Sequence, residues 1–246
     1  MTVKLLSTNT CFVPRDLAVV MRQEDEVHPE QGAMTEQQRQ KIWKSVESAY
    51  KTGNYPFISF CLRRKGQILL NRSLGYASGN STRGLSNTAK IGSADTPVCL
   101  FSASKMVTAM LIHMLDEQGE INLLDPISYY IPEYAAHGKR RTTIFHLLSH
   151  RGGIPKIEGE VTPELLFDKD EILKRLYAAK PVSVSGSRLA YHAVTAGYIL
   201  GELIERVTGQ DLRRFLHETI EKPMNMPFFN YGLDAKYRDQ EALNYP

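Results

Sequence analysis

The stretch LFSASKMVTAMLIHML, Leu100 to Leu115, sets a serine and a lysine three residues apart at the front of an apolar run. Met106, Val107, Ala109, Met110, Leu111, Ile112, Met114 and Leu115 would cover nearly the whole circumference of a helix over 102–118, with Gly119 as its stop. That pattern predicts a buried helix. Positions i and i+3 share one helix face, so Ser102 and Lys105 fall within hydrogen-bond reach. A serine hydroxyl needs a neighbouring base, and a lysine serves as one only when desolvation or nearby positive charge keeps it neutral. Burial of the helix would supply the desolvation. The competing reading is a helix N-cap at Ser102 with Lys105 reaching to water.

Spacing alone decides little, since two fixed residues recur by chance about once in a few hundred positions. Ser48-Ala49-Tyr50-Lys51 repeats the pattern at the polar end of an amphipathic helix over 35–51, where the lysine would be solvated. Environment must separate the two copies.

With 246 residues, 42% apolar and 23% charged, the chain can bury a real core in one large domain or two small ones. Its net charge of +3 is spread along the sequence, which argues for no nucleic-acid or anionic-membrane partner. Cys11, Cys61 and Cys99 are odd in number and in no metal-binding spacing, which fits a reducing compartment without a disulfide framework. The N-terminal apolar pieces are interrupted by Asn9, Pro14, Arg15 and Asp16, unlike a signal peptide. No apolar run reaches the ~20 residues of a membrane span. The expectation is a soluble, cytoplasmic protein.

Residues 1 to about 33 read as an arm or linker. FISFCLRR, the Lys65-Gly66 turn and QILLNRSLGYA predict a two-strand hairpin over 57–77. Ser78 to Pro97, rich in Gly, Ser, Thr and Asn, reads as a long loop. Further helices are expected over 142–150, 163–179, 195–207 and 211–221, with the loop RGGIP after the first.

Three ordered pieces, FSASK (101–105), LLSHRGGIP (147–155) and GSRLAYHAVTAGYILGELIERVTG (186–209), resemble the serine β-lactamase and penicillin-binding-protein superfamily, especially its class C-like esterase branch. The resemblance covers roughly Phe57 to Met226. It implies an α+β, β-lactamase/transpeptidase-like fold: an antiparallel sheet with helices plus a helical subdomain, the sheet here incomplete. Residues 1–33 would be the arm and 34–246 the β-lactamase-like domain lacking its C-terminal strands.

By the same resemblance, Ser102 would be the acylated nucleophile, Lys105 its proton acceptor and Tyr191 the second general acid/base. His192, Ser149 and Gly153 would lie on the substrate side, although packing is the plainer role for His192. A tyrosine of ordinary pKa ~10 beside an ammonium can be held partly as phenolate, and the Ser102 N–H at a helix start can donate to an oxyanion. Members often carry Tyr-x-Asn where this chain has Tyr191-His192-Ala193, which resembles the esterase-like members. The implied activity is a carboxylesterase on small esters; the alternatives are a β-lactamase or D-alanyl-D-alanine peptidase, and a catalytically inactive homologue or binding module.

Members also place a Lys-Thr-Gly-like element far downstream of the tyrosine, and none follows Tyr191 here. Lys51-Thr52-Gly53 spells it, but upstream and at a helix end, where Gly53 reads as a cap. The expectation is either a fragment or truncated product, or a partner copy in a homo-oligomer that covers that face.

Other candidates read more simply. His146 and His150 have two-histidine metal spacing but no third ligand, so a loop-anchoring role is favoured. His113 reads as a core histidine, and Met106, Met110 and Met114 as core filling. No nucleotide motif, cofactor or metal set is evident, leaving a small ester or β-lactam-like molecule as the partner.

Overall fold

The computed structural model describes residues 10–245 and runs β1 (Met21–Gln23), α1 (Glu36–Lys51), β2 (Phe57–Arg64), β3 (Gln67–Ser81) and β4 (Gly84–Ile91). It continues with α2 (Ser104–Glu117), α3 (Ile127–Tyr130), α4 (Ile144–Leu148), α5 (Lys169–Ala178), α6 (Thr195–Thr208) and α7 (Leu212–Leu216). Two units are distinguished, Met1–Cys99 with Leu233–Pro246, and Leu100–Gly232.

In the first unit, β3 is the spine of an antiparallel four-stranded sheet. Its first half pairs with β1 and β2 and its second half with β4. The hairpin of β2 and β3 stands as expected from its alternating sequence. The segment read as a long loop does not. β3 runs on to Ser81 and β4 follows a tight turn, because Gly79 lets the backbone of Ala89 approach to where a Cβ would meet its Cα at 2.7 Å. Polar, glycine-rich composition hid a strand pair whose outer strand is largely exposed.

Of the segment read as an arm, residues 1–9 lie outside the described residues, and the rest is built in. β1 aligns Met21 with Leu74, and the Glu26 carboxylate, only 2% exposed, takes two hydrogen bonds from Arg72 at 2.7 Å and one from Arg39 at 3.2 Å. Trp43 and Tyr50 of α1 close a small core with Val20, Leu70 and Leu74. At Gly75, φ is +108° and a Cβ would stand 2.3 Å from the Pro56 carbonyl, so no other residue fits there.

The second unit is helical. Leu111, Ile112 and Leu115 of α2 share a core with Ile172, Leu173 and Leu176 of α5 and Ile199, Leu200, Leu203 and Ile204 of α6. Lys139 is fully buried, its ammonium donating to the carbonyls of Tyr177 at 2.9 Å and Ala179 at 2.5 Å.

Three helix readings need correction. α2 is buried on one face only: Met106 is 74% exposed, Met110 and His113 are also exposed, and just Met114 of the methionine stripe packs on the core. Apolar content around the whole circumference therefore did not mean enclosure on every side. The helix expected over 163–179 breaks at Asp168, whose carboxylate caps α5 by accepting the Glu171 N–H at 3.0 Å. That over 142–150 shortens to α4, opened by a capping box of Thr143 and His146. Among the described residues, no helix is long and apolar enough to cross a membrane.

Candidate active site

Ser102 sits in the single 3₁₀ turn, Phe101–Ala103, that leads into α2. The turn presents its hydroxyl by a strained route: Phe101, not a glycine, has φ of 46°. Such a left-handed residue costs about 1–3 kcal/mol. Ser104 ties the turn down, donating its hydroxyl proton to the Phe101 carbonyl at 2.6 Å.

Two side chains converge on the exposed Ser102 hydroxyl. The Lys105 ammonium donates to Ser102 Oγ at 3.2 Å, and the Tyr191 hydroxyl donates to the same atom at 2.6 Å. The Lys105 nitrogen also lies 5.2 Å from the Tyr191 ring centroid. The Tyr191 phenol is held below its ordinary value, first by the hydrogen bond with Ser102 and then by Lys105. Burial does not supply this, since Tyr191 is 53% exposed and Lys105 only half-buried. The expected desolvation of the pair within a buried helix is thus replaced by a direct tyrosine contact. In the control copy, Ser48 donates instead to the Lys44 carbonyl at 2.7 Å, as an ordinary helix serine does.

Tyr191 lies in a loop, and the LLSHRGGIP segment holds it there. The His150 carbonyl accepts the Ala190 N–H at 2.9 Å, and His150 Nδ1 accepts the His192 N–H at 3.3 Å. The two rings meet edge to face, His150 against Tyr191 at 4.9 Å. His150 itself was read as a loop anchor or metal candidate; its contact with the tyrosine carries no signal in the sequence.

Of the residues expected on the substrate side, His192 and Ser149 give their polar atoms to backbone partners and Gly153 holds a backbone turn. His192 is fully buried, and its Nε2 accepts the Ile154 N–H at 3.2 Å, so the ring proton is on Nδ1 and goes to the Ala190 carbonyl at 2.5 Å. Both ring nitrogens are taken. Ser149 donates to the Phe145 carbonyl at 2.7 Å, closing α4. Gly153, with φ of +82°, is needed because a Cβ would lie 2.6 Å from the Ser183 carbonyl. His146 spends its Nδ1 on the Thr143 N–H. Thr52 caps α1 and Gly53 follows with φ of +72°, so Lys51-Thr52-Gly53 serves a helix end.

A family profile described as Beta-lactamase matches residues 30–245. The chain belongs to the Beta-lactamase family. "Esterase/beta-lactamase LipL" of Mycobacterium tuberculosis is 34% identical over 154 residues, 61% of this chain and 35% of that protein. "Esterase EstB" of Burkholderia gladioli is 29% identical over 180 residues, 66% of this chain and 44% of that protein.

Among solved structures, a family VIII carboxylesterase superposes with a TM-score of 0.76 at 27% identity, covering 90% of this chain and 57% of that one. A penicillin-binding protein homologue from Caulobacter crescentus gives 0.75 at 28%, covering 83% and 53%. The chain thus spans about a third to somewhat over half of the proteins it matches. The α+β, β-lactamase/transpeptidase-like fold is that of these relatives, and the antiparallel sheet of this chain is open and incomplete.

Proposed function

We propose that the chain carries the nucleophile half of a serine esterase, hydrolysing small carboxylic esters through an acyl-enzyme on Ser102. The observation that supports it is the meeting of Tyr191 and Lys105 on one serine oxygen. Tyr191, as phenolate, takes the Ser102 proton while Oγ bonds to the ester carbonyl carbon. That part was expected of Lys105 from the sequence; its ammonium here donates to Ser102 Oγ and stabilises the phenolate. When the bond from carbon to the alcohol oxygen breaks, Tyr191 returns its proton to the departing alcohol. The phenolate then takes a proton from water, whose oxygen attacks the acyl carbon, and Ser102 recovers the proton as the acid leaves. The Ser102 N–H at the helix entrance would donate to the oxyanion.

Ala193, where an amide is often found, favours esters over amide-like substrates, and the names of LipL, EstB and the family VIII carboxylesterase favour the same chemistry. A second reading, β-lactam hydrolysis by the same acyl intermediate, is motivated by the double name of LipL. A fluorophosphonate probe with p-nitrophenyl acetate and nitrocefin assays separates them. Ester turnover that vanishes in Ser102→Ala supports the first reading. Nitrocefin turnover with little ester activity supports the second. No labelling of Ser102 rejects both and leaves an inactive homologue or binding module.

A further inference from the structure

We propose that the cavity between α2 and α6 receives the acyl chain of an aliphatic ester, with Gly197 setting its depth; this rests on Ser102 being the nucleophile. The cavity holds about 440 Å³, within the ~300–1,000 Å³ of small-molecule sites. Lys105 is one of its walls while its nitrogen touches Ser102 Oγ, so the hollow begins one side chain from the acylated atom.

The wall chemistry selects an apolar occupant. Val194, Leu212, Tyr198 and Tyr231 contribute apolar surface, and the Tyr231 hydroxyl is already engaged with Thr108 at 2.6 Å. Of its charged walls, Lys169 pairs with Glu202 at 2.7 Å and with Glu205, and Asp211 caps α7 through the Arg214 N–H at 2.9 Å; Lys105 and Arg213 line it as well. An acyl tail thus lies along apolar side chains, with the Lys105 ammonium at the Ser102 end.

The side of the site on which the cavity lies selects the acyl chain over the alcohol. The departing alcohol oxygen must receive its proton from Tyr191. Neither Tyr191 nor Ser102 lines the cavity, and the wall that reaches Ser102 Oγ is Lys105. The alcohol therefore leaves past the tyrosine, and the substituent that stays on Ser102 extends past the lysine.

Gly197 and Gly201 of α6 open the hollow. Glycine within a helix is less favourable than alanine, and close packing does not require it here. A Cβ on Gly197 would meet nothing within 4 Å, and one on Gly201 would meet only Leu212, at 3.6 Å.

The test is octanoate binding by calorimetry to the chain and to Gly197→Leu and Gly201→Leu, each checked for folding by circular dichroism. It is read beside the ratio of kcat/KM for p-nitrophenyl octanoate over acetate. The expected result is a tenfold or greater loss of octanoate affinity, and a similar fall in that ratio, in whichever of the two variants folds. Ser102 labelled by fluorophosphonate, but octanoate affinity the same in chain and folded variant, overturns the cavity assignment alone. Absence of labelling at Ser102 overturns the nucleophile and the acyl role with it.

Discussion

The Tyr191 hydroxyl lies 2.6 Å from Ser102 Oγ across 89 residues of sequence. Tyr191 is the base only when deprotonated, and its phenol is held down first by Ser102 and then by Lys105. Ester hydrolysis should therefore rise with pH and level off below the ~10 of a free tyrosine. Lys105→Met, which removes a donor and a charge, should move that rise to higher pH. Tyr191→Phe should lose about 10²–10⁴-fold in kcat/KM. A profile flat from roughly pH 6 to 10 would show that another group carries the proton.

Burial pushes the imidazoles of His146, His150 and His192 below their ordinary range, Lys105 adding to the effect at His150. A base with a lowered folded pKa is neutral when folded and charged when unfolded in the window between the two values. Stability is then full above about pH 6.5 and lost as pH falls through it. Thermal unfolding from pH 8 down to 5 should show the melting temperature dropping across that window; a constant value contradicts the assignment.

Replacing His192 by Phe removes the acceptor for the buried Ile154 N–H. The expected loss is about 1–3 kcal/mol of unfolding free energy, with a shallower pH dependence. Because His192 positions Tyr191 through the backbone, Ser102 labelling should slow as well. Unchanged stability would mean that the Ile154 N–H finds another partner.

Lys139→Met keeps the length of the side chain and deletes its donors to two carbonyls. Urea unfolding should report a loss of about 2–4 kcal/mol from the unpaired acceptors. Lys139→Arg, too bulky for the fully enclosed site, should not restore it.

In the sheet unit, Glu26→Ala strands Arg72 and leaves the Asn71 N–H without its acceptor at 3.0 Å. A loss of about 3–5 kcal/mol is expected. Loosening of β1, read as faster hydrogen exchange at Arg22 and Gln23, should accompany it. Exchange unchanged there would show that β1 is held independently of Glu26.

Local features of the fold were legible where a short-range rule sufficed. The β2–β3 hairpin follows from alternation around a Gly-containing turn, and α6 from its 3.6-residue apolar period. β4 was not legible, because an exposed, polar strand has no apolar face to show. β1 was missed because three residues carry no periodicity, and its partner strand lies about fifty residues away, Met21 aligning with Leu74.

The sequence by itself placed Ser102 and Lys105 on one helix face, as it did Ser48 and Lys51; that the first pair meets while Ser48 turns to the Lys44 carbonyl was decided by the surroundings. Sequence determined the family too, through the order of three motifs. Tertiary structure alone decided which Ser-x-x-Lys copy meets a tyrosine, that α2 is covered on one side, and that His192 turns inward to Ile154 and away from the serine. These depend on packing between segments distant along the chain, and no local spacing encodes which buried N–H an imidazole will find.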